Sequence, residues 1–169
     1  MRVLGIDPGT IISGYGIVTE TDDSMRLVDC GAIAFAAKTP IEQRLSQLYF
    51  QLMDVIHRHQ PQEVAIEEPF VAQNVRSALA IGRAQAAGIL AAGNSRLPVY
   101  FYAPAEVKKQ VSGYGRSDKH QIQKTVQLHL GLDEPIESYD AADAVALAIC
   151  HLGRCRLRRI EAQGANPKA

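Results

Sequence analysis

The sequence predicts an α/β fold: a mixed five-stranded sheet flanked by helices. Three observations carry this. Three strand-like apolar runs fill the first 35 residues, joined by links too short for a crossover, so they pair antiparallel. Two further runs, at 63–67 and 98–102, each follow a helical segment long enough to return the chain parallel to the sheet. From residue 104 onward only helical patterns remain, giving the order βββαβαβααα.

Residues 2–7 read as a buried strand, because Val3-Leu4-Gly5-Ile6 is unbroken by polar groups, and Pro8-Gly9 ends it. Residues 14–19 and 27–35 read as the next two strands, with Thr21-Asp22-Asp23-Ser24 as their hairpin turn. At Ile41 the period changes: Leu45, Leu48, Leu52, Val55 and Ile56 fall on one helical face, until Pro61. Residues 63–67 form a buried strand ended by Pro69. A helix rich in small residues spans 74–93; Gly82 and Gly88 each weaken it by about 1 kcal/mol relative to Ala, which points to close approach by another helix or by a second subunit. A strand at 98–102 and a helix opened by Pro104 follow. The loop Ser112-Gly113-Tyr114-Gly115-Arg116-Ser117 leads into a helix from Asp118 to Leu130, stopped by Gly131. The last helix covers 140–158. The expected organisation is one domain over residues 1–160, with 161–169 as a flexible tail.

Composition narrows the function classes. Hydrophobic residues make up 47% and charged residues 21%, an ordinary globular balance, and no apolar run is long enough for a signal peptide or membrane span. Cys30, Cys150 and Cys155 lack Cys-x-x-Cys spacing, so free thiols in a reducing cytoplasm are expected, with no membrane partner. The histidines show no ligand spacing with one another, and no Cys or His cluster is expected to compete for zinc. Net charge is zero, yet residues 1–75 carry five basic and ten acidic side chains, and 76–169 carry thirteen and eight. Between 76 and 131 stand Arg76, Arg83, Arg96, Lys108, Lys109, Arg116, Lys119 and Lys124 against only Glu106 and Asp118. That segment fits either ordinary solvated helices or a face for a polyanion.

Four acids stand at the mouths of apolar elements. Asp7 ends the first strand, Glu67 ends the fourth, and Asp140 and Asp143 open the run Ala144-Val145-Ala146-Leu147-Ala148-Ile149. Buried carboxylates are costly unless paired or metal-bound. If the first and fourth strands are parallel neighbours, Asp7 and Glu67 emerge at the same sheet end, where they repel unless a cation lies between them. Asp140 and Asp143, three apart, share a helix face. Asp140 fits two roles, an N-cap or a ligand. Four carboxylates make an all-oxygen set suited to Mg²⁺ or Mn²⁺, and two ions per site would support phosphodiester hydrolysis. Lys108, Lys109 and Lys119 flank a glycine loop able to approach phosphates, Arg116 adds charge there, and Tyr114 can stack on a base. Phe70, just after Glu67, fits a core position or a wedge between bases.

The motifs Gly5-Ile6-Asp7-Pro8-Gly9-Thr10, Gly14-Tyr15-Gly16, Ala65-Ile66-Glu67-Glu68-Pro69-Phe70 and Asp140-Ala141-Ala142-Asp143-Ala144 together resemble the RuvC Holliday-junction resolvases. The resemblance covers nearly the whole chain, in order. It implies a ribonuclease H-like fold, a homodimer, and paired symmetric nicks in the like-polarity strands of four-way junction DNA, in recombination and repair. It implies that Asp7, Glu67, Asp140 and Asp143 are catalytic metal ligands, that Phe70 stacks on a base and that Lys108 and Lys119 contact DNA. It also implies a branch-migration partner, the RuvA–RuvB complex. Three alternatives stand beside this resemblance. Actin-like ATPases also carry Asp-x-Gly after a strand but need a second domain and phosphate loop. An RNA-processing nuclease of the YqgF type shares the fold. A non-catalytic DNA-binding module would not need the full set of acids.

Overall fold

The structure, a computed structural model, describes residues 1–22, 24–36, 38–68 and 75–164. Its elements follow the expected order: β1 (Arg2–Asp7), β2 (Ile12–Thr21), β3 (Ser24–Ala34), α1 (Ile41–His59), β4 (Glu63–Glu67), α2 (Val75–Asn94), β5 (Val99–Tyr102), α3 (Pro104–Ser112), α4 (Lys119–Leu130) and α5 (Tyr139–Gly164). The strands form one sheet in the order β3-β2-β1-β4-β5. β1, β2 and β3 pair antiparallel as a meander, whereas β4 and β5 join parallel to β1 and to each other.

Strand alternation splits the core into two. Leu4, Ile6, Val64 and Ile66 point to one face and pack beneath α1 and α2, against Leu48, Leu52, Val55, Ala84, Ala87 and Ala91. Val3, Ala65 and Tyr102 point to the other face, covered by Val107 of α3, Ile122 and Val126 of α4, and Val145 to Leu152 of α5. By the same alternation Gly5, Asp7, Glu63 and Glu67 face the α5 layer. Burying each of Leu4, Ile6, Leu52 and Ile66 completely contributes about 1.5–3 kcal/mol.

Local chemistry explains the boundaries. Gln60 adopts a left-handed conformation (φ 48°) and its N–H bonds to Ile56 O, closing α1 ahead of Pro61. Asp118 and Gln121 form a reciprocal capping box at the start of α4, and Gly131 (φ 60°) ends that helix. A bulge between Ile17 and Val18 shifts the register of β2 against β3. The two helix glycines separate: Gly88 packs on Ile6 and Ile66, while Gly82 has open space around it, so only Gly88 is explained within the monomer. α5 continues through Gly164, beyond the helix end expected at residue 158 and into the segment expected to be a tail. Among the described residues no helix is long and apolar enough to cross a membrane.

Candidate active site

Asp7 ends β1 and Glu67 ends β4, and the two strands are adjacent and parallel, in register Ile6↔Ile66 immediately before the acids. Both carboxylates therefore leave the sheet at the same end and on the same face. The turn after Asp7 is held by Ser13, which is fully buried: the Gly9 N–H donates to Ser13 Oγ (3.0 Å), and Ser13 Oγ donates to Gly9 O (2.6 Å). Arg44 of α1 donates to Thr10 O (2.7 Å). On the Glu67 side, Gln85 Nε2 donates to Glu67 O (3.0 Å).

The second pair of acids arrives on α5, which lies directly on the sheet because glycines leave room for its backbone. A Cβ at Gly14 would stand 1.8 Å from Asp140 O, and one at Gly5 would stand 1.9 Å from Ala144 O. At Gly16 it would meet Val145 Cγ2 at 2.4 Å. Gly14 pairs with Asp7 and Gly16 with Gly5 across β1 and β2, so the glycines make one smooth patch beside Asp7. These contacts had no reading in the sequence beyond the family motif. The spacing Gly5, Gly14, Gly16 was their only signal.

Ser138 caps α5, since the Ala141 N–H donates to Ser138 Oγ (3.3 Å) and the Ala142 N–H to Ser138 O (2.9 Å). The capping role open to Asp140 in the sequence is thus taken by Ser138. Asp140 stands inside the first turn of the helix.

Electrostatics shows that the four acids share one field. Burial, followed by the charges of Asp143 and Asp140, pushes the Asp7 carboxyl up to about 7, with Lys119 opposing. Burial, then Asp7 and Asp143, pushes Glu67 up to about 8 against Lys108 and Lys119. Asp143 is also raised, by burial and then Asp140, with Lys119 and Lys108 pulling down. Glu67 and Asp143 face one small recess, whose wall includes Lys108, Ile122 and Ala146. Carboxylates crowded so that protons bind near neutrality, with only oxygen donors, fit a hard divalent cation.

The loop between α3 and α4 carries the expected contact residues. Ser112 Oγ lies 2.6 Å from Ser117 Oγ and donates to Lys108 O (2.7 Å), and Ser117 Oγ donates to Tyr114 O (2.8 Å). The knot leaves Tyr114 61% exposed, with Arg116 and Lys119 also exposed at the same end. Arg76 is exposed on the first turn of α2, in the layer across the sheet from α5. Phe70 lies outside the described residues.

Similarity to known proteins completes the picture. Residues 3–151 match the family model described as crossover junction endodeoxyribonuclease RuvC. The chain belongs to the RuvC family. A crossover junction endodeoxyribonuclease RuvC from Dehalococcoides mccartyi is 48% identical over 164 residues, covering 97% of this chain and 99% of the relative. That from Pelotomaculum thermopropionicum is 45% identical over 151 residues, 89% of this chain and 92% of the relative. Thermus thermophilus RuvC in complex with Holliday junction substrate superposes with TM-score 0.86 at 32% identity, covering 93% of this chain and 96% of that one. The fold is therefore ribonuclease H-like, and membership of this family carries divalent-metal dependence.

Two further features lie at the periphery. The arginines of the α5 end make structural contacts. Glu20, 5% exposed, accepts from Arg156 Nε (3.1 Å) and from Arg159. Burial alone would raise Glu20, but these two arginines outweigh it and hold its carboxyl low. Arg154 pairs with Glu106 (2.6 Å). The expectation of no Cys or His cluster is also overturned: Glu63, His151 and Cys155 place ligand atoms within 4.8 Å of one another. Strand pairing brings Glu63 to α5, and His151 and Cys155 are four apart on that helix. That spacing was visible in the sequence; the approach of Glu63 was not.

Proposed function

We propose that this chain resolves four-way DNA junctions by paired, symmetric nicks in strands of like polarity, through Mg²⁺-dependent phosphodiester hydrolysis. The convergence of Asp7, Glu67, Asp140 and Asp143 at one end of the sheet, beside Lys108 and Lys119, carries the reading. The catalytic unit is a single domain that includes the whole of α5.

Asp7 and Glu67 form the centre of the site, because neighbouring strands hold both rigidly. Asp143 and Asp140 close it from the first turns of α5. The oxygens of these four side chains would hold two Mg²⁺ ions, with Mn²⁺ able to substitute. Bound there, the metal would supply Lewis-acid activation of water and charge stabilisation at the departing 3′ oxygen. Lys108 and Lys119 lie close enough to act on Glu67 and Asp143, so they would place the adjoining phosphates. Tyr114 and Arg116, held out by the serine knot, extend this contact along the backbone of one arm. Phe70 follows Glu67 directly in sequence and would stack at the unpaired crossover. Arg76 would meet phosphates further out.

Two symmetric nicks need two active sites. Val75, Leu79 and Leu90 are 64%, 60% and 59% exposed on α2, close to the uncrowded Gly82, and this face would join two copies. A branch-migration complex of the RuvA–RuvB type would deliver the junction.

The test is cleavage of a synthetic four-way junction, a linear duplex and an RNA–DNA hybrid, each with and without Mg²⁺. Cutting confined to the junction and to Mg²⁺ is expected, and Asp7→Asn should bind the junction without cutting it. Preferential cutting of the hybrid, or full activity of Asp7→Asn, would refute the proposal.

A further inference from the structure

The two acids of β4 lie at opposite ends of the strand and on the same face. Glu67 belongs to the candidate active site. Glu63 is four residues away, about 13 Å at about 3.3 Å per residue. There it meets α5 again, about three turns beyond Asp140. His151 is fully buried and sets its Nε2 2.5 Å from Glu63 Oε2. Cys155, one turn on, places Sγ 3.5 Å from the same nitrogen. On the other side of the ring, His151 Nδ1 is 2.6 Å from the Tyr102 hydroxyl. Tyr100 packs against the imidazole with ring centroids 4.5 Å apart, which fixes its plane.

A hydrogen-bond relay from Tyr102 through His151 to Glu63 accounts for three of these residues. It leaves the convergence of Cys155 on the same nitrogen unexplained. We propose that Glu63, His151 and Cys155 form a second metal site, for Zn²⁺ or a similar borderline-soft divalent cation, separate from the acidic site. The donor set is one imidazole nitrogen, one thiolate and one carboxylate, with a fourth position open to water. Tetrahedral bonds of about 2.05 Å to nitrogen and 2.3 Å to sulfur place those atoms about 3.6 Å apart, close to the separation between His151 and Cys155. Nitrogen and oxygen ligands would stand about 3.3 Å apart, so Glu63 has to withdraw by about 0.8 Å. Its side chain is 22% exposed and free to do so.

Metal binding needs a proton shift that the surroundings accommodate. The Cys155 thiol releases its proton to solvent. The His151 proton moves to Nδ1 and is donated to the Tyr102 oxygen, the outer-shell contact that orients metal-binding histidines. Carboxylate and thiolate together neutralise a divalent charge. Of the nearby guanidiniums, Arg154 is paired with Glu106 and Arg159 with Glu20. Burial and then Glu63 push the Cys155 thiol above its ordinary value, with Arg158 and Arg159 opposing, so a bound cation would have to draw off its proton. A cation here would clasp the first residue of β4 to α5 and so brace the strand that ends in Glu67. It takes no part in the cleavage chemistry.

Cobalt separates this site from the acidic one, because only a sulfur ligand gives intense thiolate-to-metal charge-transfer absorption. The full chain carrying Asp7→Asn, stripped of metal and kept reduced, is titrated with Co²⁺ and then Zn²⁺. One equivalent of Co²⁺ should produce the charge-transfer band, and Zn²⁺ should displace it. Cys155→Ser should remove the band, and Glu63→Gln should weaken Co²⁺ binding on the order of tenfold or more. Both substituted side chains are partly exposed, so each variant should retain the fold, checked by an unchanged far-UV spectrum. Absence of the band in the parent protein, its survival in Cys155→Ser, or unaltered affinity in Glu63→Gln would overturn the proposal.

Discussion

Gly14→Ala is the sharpest test of how the acids are brought together. The added Cβ would stand 1.8 Å from the Asp140 carbonyl oxygen, 2.3 Å from its carbon and 3.0 Å from the Ala141 nitrogen. All three are backbone atoms, so no side chain can rotate away. Relief to 3.0 Å requires the first turn of α5 to retreat by about 1.2 Å, or β2 to bend by as much. Overpacking of this kind costs about 1–3 kcal/mol of stability. Its effect on cleavage should exceed its effect on folding, because Asp140 and Asp143 move with that turn while Asp7 and Glu67 stay on the sheet. Misplacement by about 1 Å lowers rate on the order of 100-fold. The assay is single-turnover cleavage of a four-way junction at saturating protein, beside a urea melt. Gly153→Ala on the same helix is the control: its Cβ meets only Gln110 Nε2, at 3.5 Å, and alanine there should add up to about 1 kcal/mol with no change in rate. A Gly14→Ala protein with normal rate and stability would refute the argument that glycine contacts position the metal-binding acids.

Three further outcomes are expected. In EDTA the protein should lose stability as pH rises from about 4 to about 8: Asp7 and Glu67, held near 7 and 8 in the fold, favour the native state while protonated, and that advantage disappears as they ionise. Asp7→Asn should therefore be the more stable protein at pH 8 without metal, by at most about 4 kcal/mol, and equal urea midpoints at that pH would contradict the crowding of the acids. Lys119→Ala should weaken junction binding and reduce the salt slope of log affinity by about 1, and an unchanged slope would remove Lys119 from the phosphate contacts. The double variant Arg156→Ala/Arg159→Ala should cost about 3 kcal/mol by stranding the buried Glu20 carboxylate, with junction affinity unchanged. Normal stability with weaker binding would instead make these arginines DNA contacts.

Much of the architecture was legible in the chain because its signals are local. The apolar run before Asp7, the helical spacing from Leu45 to Ile56 and the stop at Gly131 each fall within one element. The four acids stood out for a similar reason, since a carboxylate next to a buried run is chemically conspicuous. Asp140 was harder, because a first-turn aspartate looks alike as cap or as ligand. Only the hydrogen bond from Ala141 to Ser138 separates the two.

The sequence by itself determined the order of elements, the turn and cap chemistry, and which carboxylates had to be reconciled with burial. Tertiary structure decided what those carboxylates meet. Strand order placed β1 beside β4, and alternation then turned Gly5, Asp7, Glu63 and Glu67 toward α5 together. The bare glycine surface let the α5 backbone settle on β1 and β2, which set Asp140 and Asp143 over Asp7. The same docking carried His151 and Cys155 to Glu63, and Arg156 and Arg159 to Glu20, across separations of 88 to 139 residues. Such meetings depend on which faces of distant elements pack together, and that is settled by burying the whole apolar surface at once.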